Sequence, residues 1–395
     1  MKEREIAIVG VGMHPYGKWP GKKFLEFGLV AANNALEDAG LEWKDIQFVV
    51  GGSTMYSGTP GVLDGSCLTE EMGWPGIPVI NHYNACATGA YSLDIARARI
   101  LAGLCDVALC IGMESSPSGF FSPTPSKDPN DPDMFRFKIG ATNPTYFALY
   151  AMRRMHNYGT KEADFAMVKV KNSRHGLNNP NARYRKEYTI EEVLNSPMVA
   201  YPLRLFEICA TSDGAAAVIV SSKKAAKKFT NKPITVAAIS AVSPDYPDAI
   251  INIPRISTDS TYNILPKQRY QQKVARLAYE EAGLGPEDLN LAELYDLTSA
   301  WELDWYEDIG LCKPGEAEKL LNDGQTTIGG RIPTNTSGGL SSFGEAAPAQ
   351  ALTQICELAW QLRGMAGKRQ VKGAKVGLGI NFGLSGNSSC VILKR

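Results

Sequence analysis

The chain has 395 residues, 44% of them hydrophobic and 21% charged, a size that calls for two or more domain-sized cores rather than one. Lysine plus arginine and aspartate plus glutamate each number 41, so the charge balance gives no reason to expect nucleic acid or a membrane surface as a partner. No uninterrupted apolar stretch approaches bilayer-spanning length, and MKEREIAIVGVG enters a strand pattern with no secretory apolar region before it; the cytoplasm is the expected compartment.

In chain order, EIAIVGVG reads as a strand, FLEFGLVAANNALEDAG as a helix, and DIQFVVGG and PVINHYN as strands. The run after Asn84 places Ala90, Leu93, Ile95, Ala96, Ile100 and Leu101 along one side at helical spacing, and DVALCIGMES returns to a strand. Cys86, in HYNACATGAYSLD, therefore falls at a strand-to-helix turn. Backbone N–H groups and the positive end of a helix dipole converge at such a position, which favours a thiolate. A free cysteine is also a common small core residue, so context has to decide. His82 sits four residues earlier; it reads as a hydrogen-bonded core histidine, with an imidazole serving Cys86 as the alternative.

Residues 116–205 interrupt the alternation. SPSGFFSPTPSKDPNDPDMF reads as loop. KVKNSRHGLNNPNARYRKEY carries Lys169, Lys171, Arg174, Arg183, Arg185 and Lys186, either a solvated surface or a positive rim for a phosphorylated cofactor. The second half then repeats the first: ITVAAISAV, KVARLAYEEAG, LNLAELYDL, EAAPAQALTQICELAWQLRG, AKVGLGINFG and SSCVILK. Residues 31–52 and 275–296 align as helix, Ala-Gly-Leu stop and strand, and DVALCIG matches AKVGLGIN in pattern. This is an internally duplicated α/β chain, whose site belongs where strand ends of both halves meet. The eight cysteines form no CxxC pair, so neither a zinc site nor a redox dithiol is indicated.

NACATG, LAGLCDVALCIGMES, YGTKEADFAMVKVKNSRHGLNNP, TSDGAAAVIVSS, YEDIGLCKPGE, GGRIPTNTSGGLSSFGE and QLRGMAGKRQVKGAKVGLGIN together resemble the thiolase superfamily, in its sterol-carrier-protein-type branch, from end to end. The resemblance implies an α/β fold of two duplicated βαβαβαββ halves in five αβαβα layers. Residues 1–115 with 206–230 would form the first half, 116–205 a loop domain for CoA or partner contacts, and 231–395 the second half. It also implies a homodimer, with coenzyme A as co-substrate and no tightly bound cofactor. Cys86 takes the place of the nucleophile that attacks the β-keto carbon of an acyl-CoA.

The remaining catalytic positions depart from the family's pattern. Where relatives carry an His-Asp-Cys-Phe-like motif the chain has ELYDLTS, with Tyr295; where they carry Gly-His-Pro it has SSFGEAAPAQA, with Glu345; the late position reads GINFGLSG, keeping Asn381 after Ile380. Enclosed in an apolar site, Glu345 can serve as general acid or base, and Tyr295 as an oxyanion donor or a base. Gly383 is a candidate oxyanion donor through its N–H. Arg174, Arg183 and Arg185 are candidates for CoA phosphates, and Asn335, Gly338 and Gly339 for the pantetheine tunnel or the turn beside the sulfur.

Three functions remain open at this point. One is a thiolase (acyltransferase) acting through acyl-Cys86 on an unusual β-oxoacyl-CoA, as in β-oxidation or aromatic degradation; the benzoylsuccinyl-CoA thiolase branch is the specific case. The second is a retro-aldolase (lyase) of the kind found in steroid side-chain degradation, acting on a β-hydroxyacyl-CoA with Tyr295 as base. The third is a non-catalytic scaffold subunit. All three go with a small zinc-ribbon/OB-fold partner that carries any zinc itself, and SGFF (118–121) is a candidate contact for it or, equally, a dimer or substrate-loop element.

Overall fold

A computed structural model describes residues 5–52, 63–116, 128, 130, 143–229, 232–244, 269–383 and 387–395. Among the described residues the main sheet has nine strands. In the first half, β1 (Ile6–Gly17) pairs antiparallel with β7 (Asp213–Ser222), and β7 with β4 (Val107–Glu114). β2 (Val49–Gly52) then lies parallel between β4 and β3 (Val79–His82). In the second half, β8 (Ile234–Val242) pairs with β11 (Asn387–Lys394), β11 with β10 (Val376–Gly383), and β10 in parallel with β9 (Leu291–Leu294). Among the described residues the strands of the two halves pair at Ala7–Thr235 and Ile8–Ile234.

Outward from that seam the halves follow one path, β1-β7-β4-β2-β3 and β8-β11-β10-β9. A parallel bridge from Ala292 to Thr334 stands where the second half would have its third strand. The internal repeat is explicit in the connections. α1 (Phe24–Ala39) and α8 (Tyr270–Ala282) end on Gly40 and Gly283 at φ 65° and 64°, left-handed caps that glycine adopts without steric penalty. A 3₁₀ turn, Trp43–Asp45 or Pro286–Asp288, then feeds β2 or β9.

Five layers result, as expected. α1 and α2 (Asp64–Glu71) cover one sheet face and α8 the opposite outer face, while α3 (Thr88–Leu101) and α12 (Gln350–Arg363) run through the centre. Nearly every residue of α12 is buried, because it packs on strands of both halves and on α3. α3 and α12 touch at Gly89, where a Cβ would lie 2.6 Å from the backbone nitrogen of Leu352. A short α7 (Lys223–Ala226), capped by the Ser222 hydroxyl, follows β7.

Between β4 and β7 the chain forms α4 (Asn143–Tyr158), α5 (Glu162–Leu177), α6 (Ile190–Leu194) and the small hairpin β5 (Met198–Ala200) and β6 (Leu203–Arg204). These pack on α9 (Ser299–Asp308), α10 (Ala317–Asn322) and α11 (Gly339–Ser342). That packing corrects the surface reading of the basic run at two positions, since Lys169 and Lys171 are each 1% exposed. Lys171 pairs with Glu302 and bonds Thr334 Oγ1 at 2.7 Å; Lys169 donates to the Ser341 carbonyl at 2.7 Å and Ser342 Oγ at 2.9 Å. Arg154 is clasped by Asp304, Glu307 and Glu318.

Two stability tests follow from this packing. Gly89→Ala gains about 1 kcal/mol of helix propensity but forces α3 and α12 apart, and a net loss of about 1–3 kcal/mol is expected from overpacking; an unchanged or raised melting temperature would refute the close contact. Glu302→Ala strands the buried Lys171 ammonium and should cost about 3–5 kcal/mol in denaturant titration.

Candidate active site

After β3 the chain turns at Ala85, whose φ of 51° is unusual for a residue with a side chain. The turn is locked by Thr88, whose hydroxyl donates to the Ala85 carbonyl and accepts from Asn84 N at 2.9 Å. α3 opens at Thr88, so Cys86 sits two residues before the helix, at the predicted strand-to-helix turn. On the far side, Gly383 at the end of β10 approaches so closely that a Cβ would lie 2.5 Å from the Asn84 carbonyl oxygen. Backbone strain and a required glycine thus meet at one cysteine, a concentration that functional sites tend to show.

Tyr295 is the first residue beyond β9, and its carbonyl accepts from Trp305 Nε1 at 2.8 Å. Glu345 follows α11 and is pinned through its backbone: its N–H donates to the Ala210 carbonyl at 2.9 Å, and its carbonyl accepts from Ser212 N at 2.7 Å. These placements bring the three side chains together. Cys86 Sγ donates to Glu345 Oε1 at 3.0 Å, and the Tyr295 hydroxyl donates to the same oxygen. Cys86, Tyr295 and Glu345 are 1%, 0% and 2% exposed. Glu345 Oε2 has no hydrogen-bond partner among the described residues, and the Cys209 thiol lies beside the same carboxyl.

Burial sets the protonation states. It pushes the Cys86 thiol well up, and the Glu345 charge and hydrogen bond push it further. Burial likewise raises Tyr295, with Cys86 and Glu345 adding to the effect. It raises the Glu345 carboxyl too, but the Cys86 and Tyr295 donors work against that rise. With a thiol and a phenol both donating to one oxygen, the ionised form of Glu345 is placed to take a proton from either.

Asn381 donates through Nδ2 to Gln354 Oε1, and its Oδ1 has no partner among the described residues. Asn335, at φ 51°, accepts from Leu294 N at 2.7 Å and donates to Glu302 Oε2 at 3.1 Å. Gly338 and Gly339 adopt φ 115° and 63°, and a Cβ on Gly339 would lie 2.4 Å from Asp296 Oδ2. These three shape the turn that leads to Glu345. Two of the arginines stand elsewhere, and Arg183 lies nearer Glu345, its backbone N–H donating to the Phe343 carbonyl at 2.9 Å. Arg174 pairs with Glu187 at 2.7 Å in an exposed position, Arg185 is exposed, and Arg183 donates to the Thr211 carbonyl with its guanidinium over the Tyr184 ring. His82 is half-buried; it bonds Ser92 Oγ at 2.8 Å and Asn84 Nδ2 at 3.1 Å, and burial lowers its pKa to about 4, consistent with a neutral, hydrogen-bonded histidine. SGFF lies outside the described residues.

Cys209 and Gln354 were not anticipated. Neither carries a local sequence signal, because each reaches the site only through contacts distant in the chain. One titration checks the electrostatics of the trio. Glu345→Gln removes the charge that raises the thiol, so the midpoint of the pH profile for Cys86 alkylation, read by peptide mass mapping, should move down. A midpoint that stays or rises would mean the carboxylate is not felt at the sulfur.

With this geometry in view, comparisons with known proteins are informative. Residues 261–395 match the family model for the thiolase C-terminal domain-like family. The chain is 34% identical to the acetyl-CoA acetyltransferase of Methanothermobacter thermautotrophicus, over 98% of each chain. It is 35% identical to the benzoylsuccinyl-CoA thiolase subunit BbsB of Thauera aromatica, over 94% of this chain and 92% of that one. Among solved structures, the Ltp2-ChsH2(DUF35) aldolase superposes with a TM-score of 0.83 at 25% identity, over 100% of this chain and 98% of that one. The cysteine turn, the duplicated halves and relatives that match along nearly the whole length agree: the chain belongs to the thiolase superfamily and is an enzyme of the thiolase type.

Proposed function

We propose that the protein is a CoA-dependent thiolase that cleaves or forms a carbon–carbon bond in an aryl β-oxoacyl-CoA, with benzoylsuccinyl-CoA as the specific case, through an acyl thioester on Cys86. The observation that carries this reading is the 3.0 Å contact between Cys86 Sγ and Glu345 Oε1. A protonated thiol is a weak nucleophile, and a carboxylate within hydrogen-bond reach is positioned to take its proton as the sulfur attacks. Tyr295 O–H and the Gly383 N–H are the donors for the oxyanion that forms on the β-carbonyl. Asn381, with Oδ1 unpartnered among the described residues, is a further polar contact for the substrate.

The aryl preference draws on two supports. One is the 35% identity to BbsB. The other is an aromatic group next to Gly383: Trp301 packs on Phe382 at 4.9 Å and on Phe147 at 5.7 Å, in the same core as Cys86. In this reading CoA is the co-substrate, and residues 116–205 form the loop domain that receives it, with Arg174, Arg183 and Arg185 toward its phosphates. A homodimer and a small zinc-ribbon/OB-fold partner complete the proposed cytoplasmic assembly. The BbsB relative is named a subunit, and the aldolase neighbour is Ltp2 with ChsH2(DUF35).

The second reading rests on a separate observation, the Tyr295 hydroxyl on Glu345 Oε1. A carboxylate there can draw the phenol proton, and the phenolate can then deprotonate a β-hydroxyacyl-CoA in a retro-aldol cleavage. The likeness to the Ltp2-ChsH2(DUF35) aldolase points the same way. Intact-protein mass spectrometry with a panel of β-oxo- and β-hydroxyacyl-CoAs separates the two.

The thiolase reading expects an acyl adduct that Cys86→Ala abolishes and that forms about 10²–10⁴-fold more slowly in Glu345→Gln. Its rate should fall as pH drops through the raised carboxyl pKa, because only the ionised form accepts a proton. Cleavage of a β-hydroxyacyl-CoA with no adduct, intact in Cys86→Ala and lost in Tyr295→Phe, would establish the lyase instead.

A further inference from the structure

Carbon–carbon cleavage requires two proton transfers, one off the nucleophile and one onto the carbanion that departs. The first is assigned to Glu345. After the first transfer Glu345 holds a proton on a carboxyl whose Oε1 is shared by Cys86 Sγ and the Tyr295 hydroxyl, so a separate donor for the second belongs at its other oxygen. The other oxygen, Oε2, is buried and has no hydrogen-bond partner among the described residues. Two residues before Thr211, which bridges to Glu345, stands one more group with a transferable proton, the thiol of Cys209, which interacts with that carboxyl.

Its placement is enforced from both sides. Cys209 N–H donates to the Leu297 carbonyl at 2.9 Å, just beyond Tyr295, and Ile208 bridges to Thr298. The next residue, Ala210, donates to the Leu340 carbonyl at 3.0 Å and accepts from Glu345 N at 2.9 Å. The segment is thus laced between the strand end that carries Tyr295 and the turn that carries Glu345. Cys209 shares a buried core with Cys86 and Tyr295. Burial and the Glu345 charge keep its thiol protonated, as a proton donor must be.

We propose that Cys209 is the general acid that protonates the departing carbanion and that Glu345 reloads it. The step balances. Cys86 S–H gives its proton to Glu345 as the sulfur bonds to the β-carbonyl carbon. The carbon–carbon bond breaks, and its electron pair passes to the α-carbon of the departing CoA thioester. The Cys209 S–H proton goes to that carbon, and the Cys209 thiolate then takes the proton held by Glu345. Acyl-Cys86, a neutral Cys209 and the Glu345 carboxylate remain. This inference rests on the thiolase reading of Cys86.

The test uses the full chain and two probes. One is the β-oxoacyl-CoA that yields the Cys86 adduct, followed by stopped turnover. The other is benzoyl-CoA, which can acylate Cys86 with no carbon–carbon bond to break. In Cys209→Ala and the near-isosteric Cys209→Ser, cleavage should fall at least about 100-fold in kcat, while benzoyl-CoA acylation of Cys86 falls far less and melting temperature confirms folding. Equal losses in both assays, or cleavage within about threefold of the unmodified protein, would overturn the role of Cys209. Absence of any adduct in the unmodified protein across the panel would instead overturn the thiolase reading, and this inference with it.

Discussion

The structure depends on one carboxylate oxygen. Glu345 Oε1 receives both the Cys86 thiol and the Tyr295 hydroxyl in a site that none of the three exposes to solvent beyond 2%. An ionised carboxyl in such surroundings is stable only if donors replace the water it has lost. Cys86 belongs to the first half and the other two to the second, and Cys86 and Glu345 lie 259 residues apart. Tyr295 reaches the carboxylate from within the second half, and only when the duplicated halves close on each other does the charge acquire its other donor, Cys86. Assembly of the site and assembly of the fold are therefore one event.

Behind the trio lies a buried polar scaffold that explains how a turn can hold Glu345 in place. The stretch from Thr334 to Leu340 is anchored at nearly every residue. Thr334 bonds Lys171, Asn335 bonds Leu294 N and Glu302, and Thr336 and Ser337 bond Glu293. Leu340 N donates to Asp296. Glu293 and Glu357 bring two acids close together, and Arg369 pairs with Glu357 at 2.7 Å. Such networks add little net stability, because desolvating each charge offsets much of the attraction. Their contribution is geometric: no member can shift without leaving another buried charge unpaired. Asp296 follows Tyr295 directly and also accepts from Asn172, so the same network fixes the phenol.

How much of this could be read from the sequence depended on the range of the interaction. The turn at Cys86 was legible because its determinants, a β-rich run and a small-residue helix start, lie within a few residues. The duplication was legible because both copies keep the same Ala-Gly-Leu stop, where the glycine adopts the left-handed cap. Tyr295 and Glu345 could be named as departures from a motif, but their meeting on one oxygen depends on tertiary closure. Lys169 and Lys171 were read with the solvated arginines around them, because charge alone does not show which helix face packs against a neighbour. Their counterparts, Glu302 and the carbonyl of Ser341, lie more than 130 residues away. Cys209 has no periodicity or motif at all, only a place between a strand end and a turn that sequence does not bring together.

In the proposed thiolase reaction, a carboxylate at position 345, where the family resemblance implies an imidazole, changes the electrostatics of the proton transfer. When a neutral imidazole takes a thiol proton, an ion pair is created, and a dry site must stabilise both charges. When Glu345 takes it, one negative charge moves from oxygen to sulfur and the site's net charge stays constant. The drawback appears at rest, where that standing charge raises the Cys86 thiol. The gain comes after attack. The sulfur is then bonded and Glu345 is a neutral acid, so the carbanion develops beside a protonated carboxyl and a phenol rather than beside an anion. A site built this way suits a substrate whose leaving carbanion is itself anionic, because the base is discharged by the step that generates it.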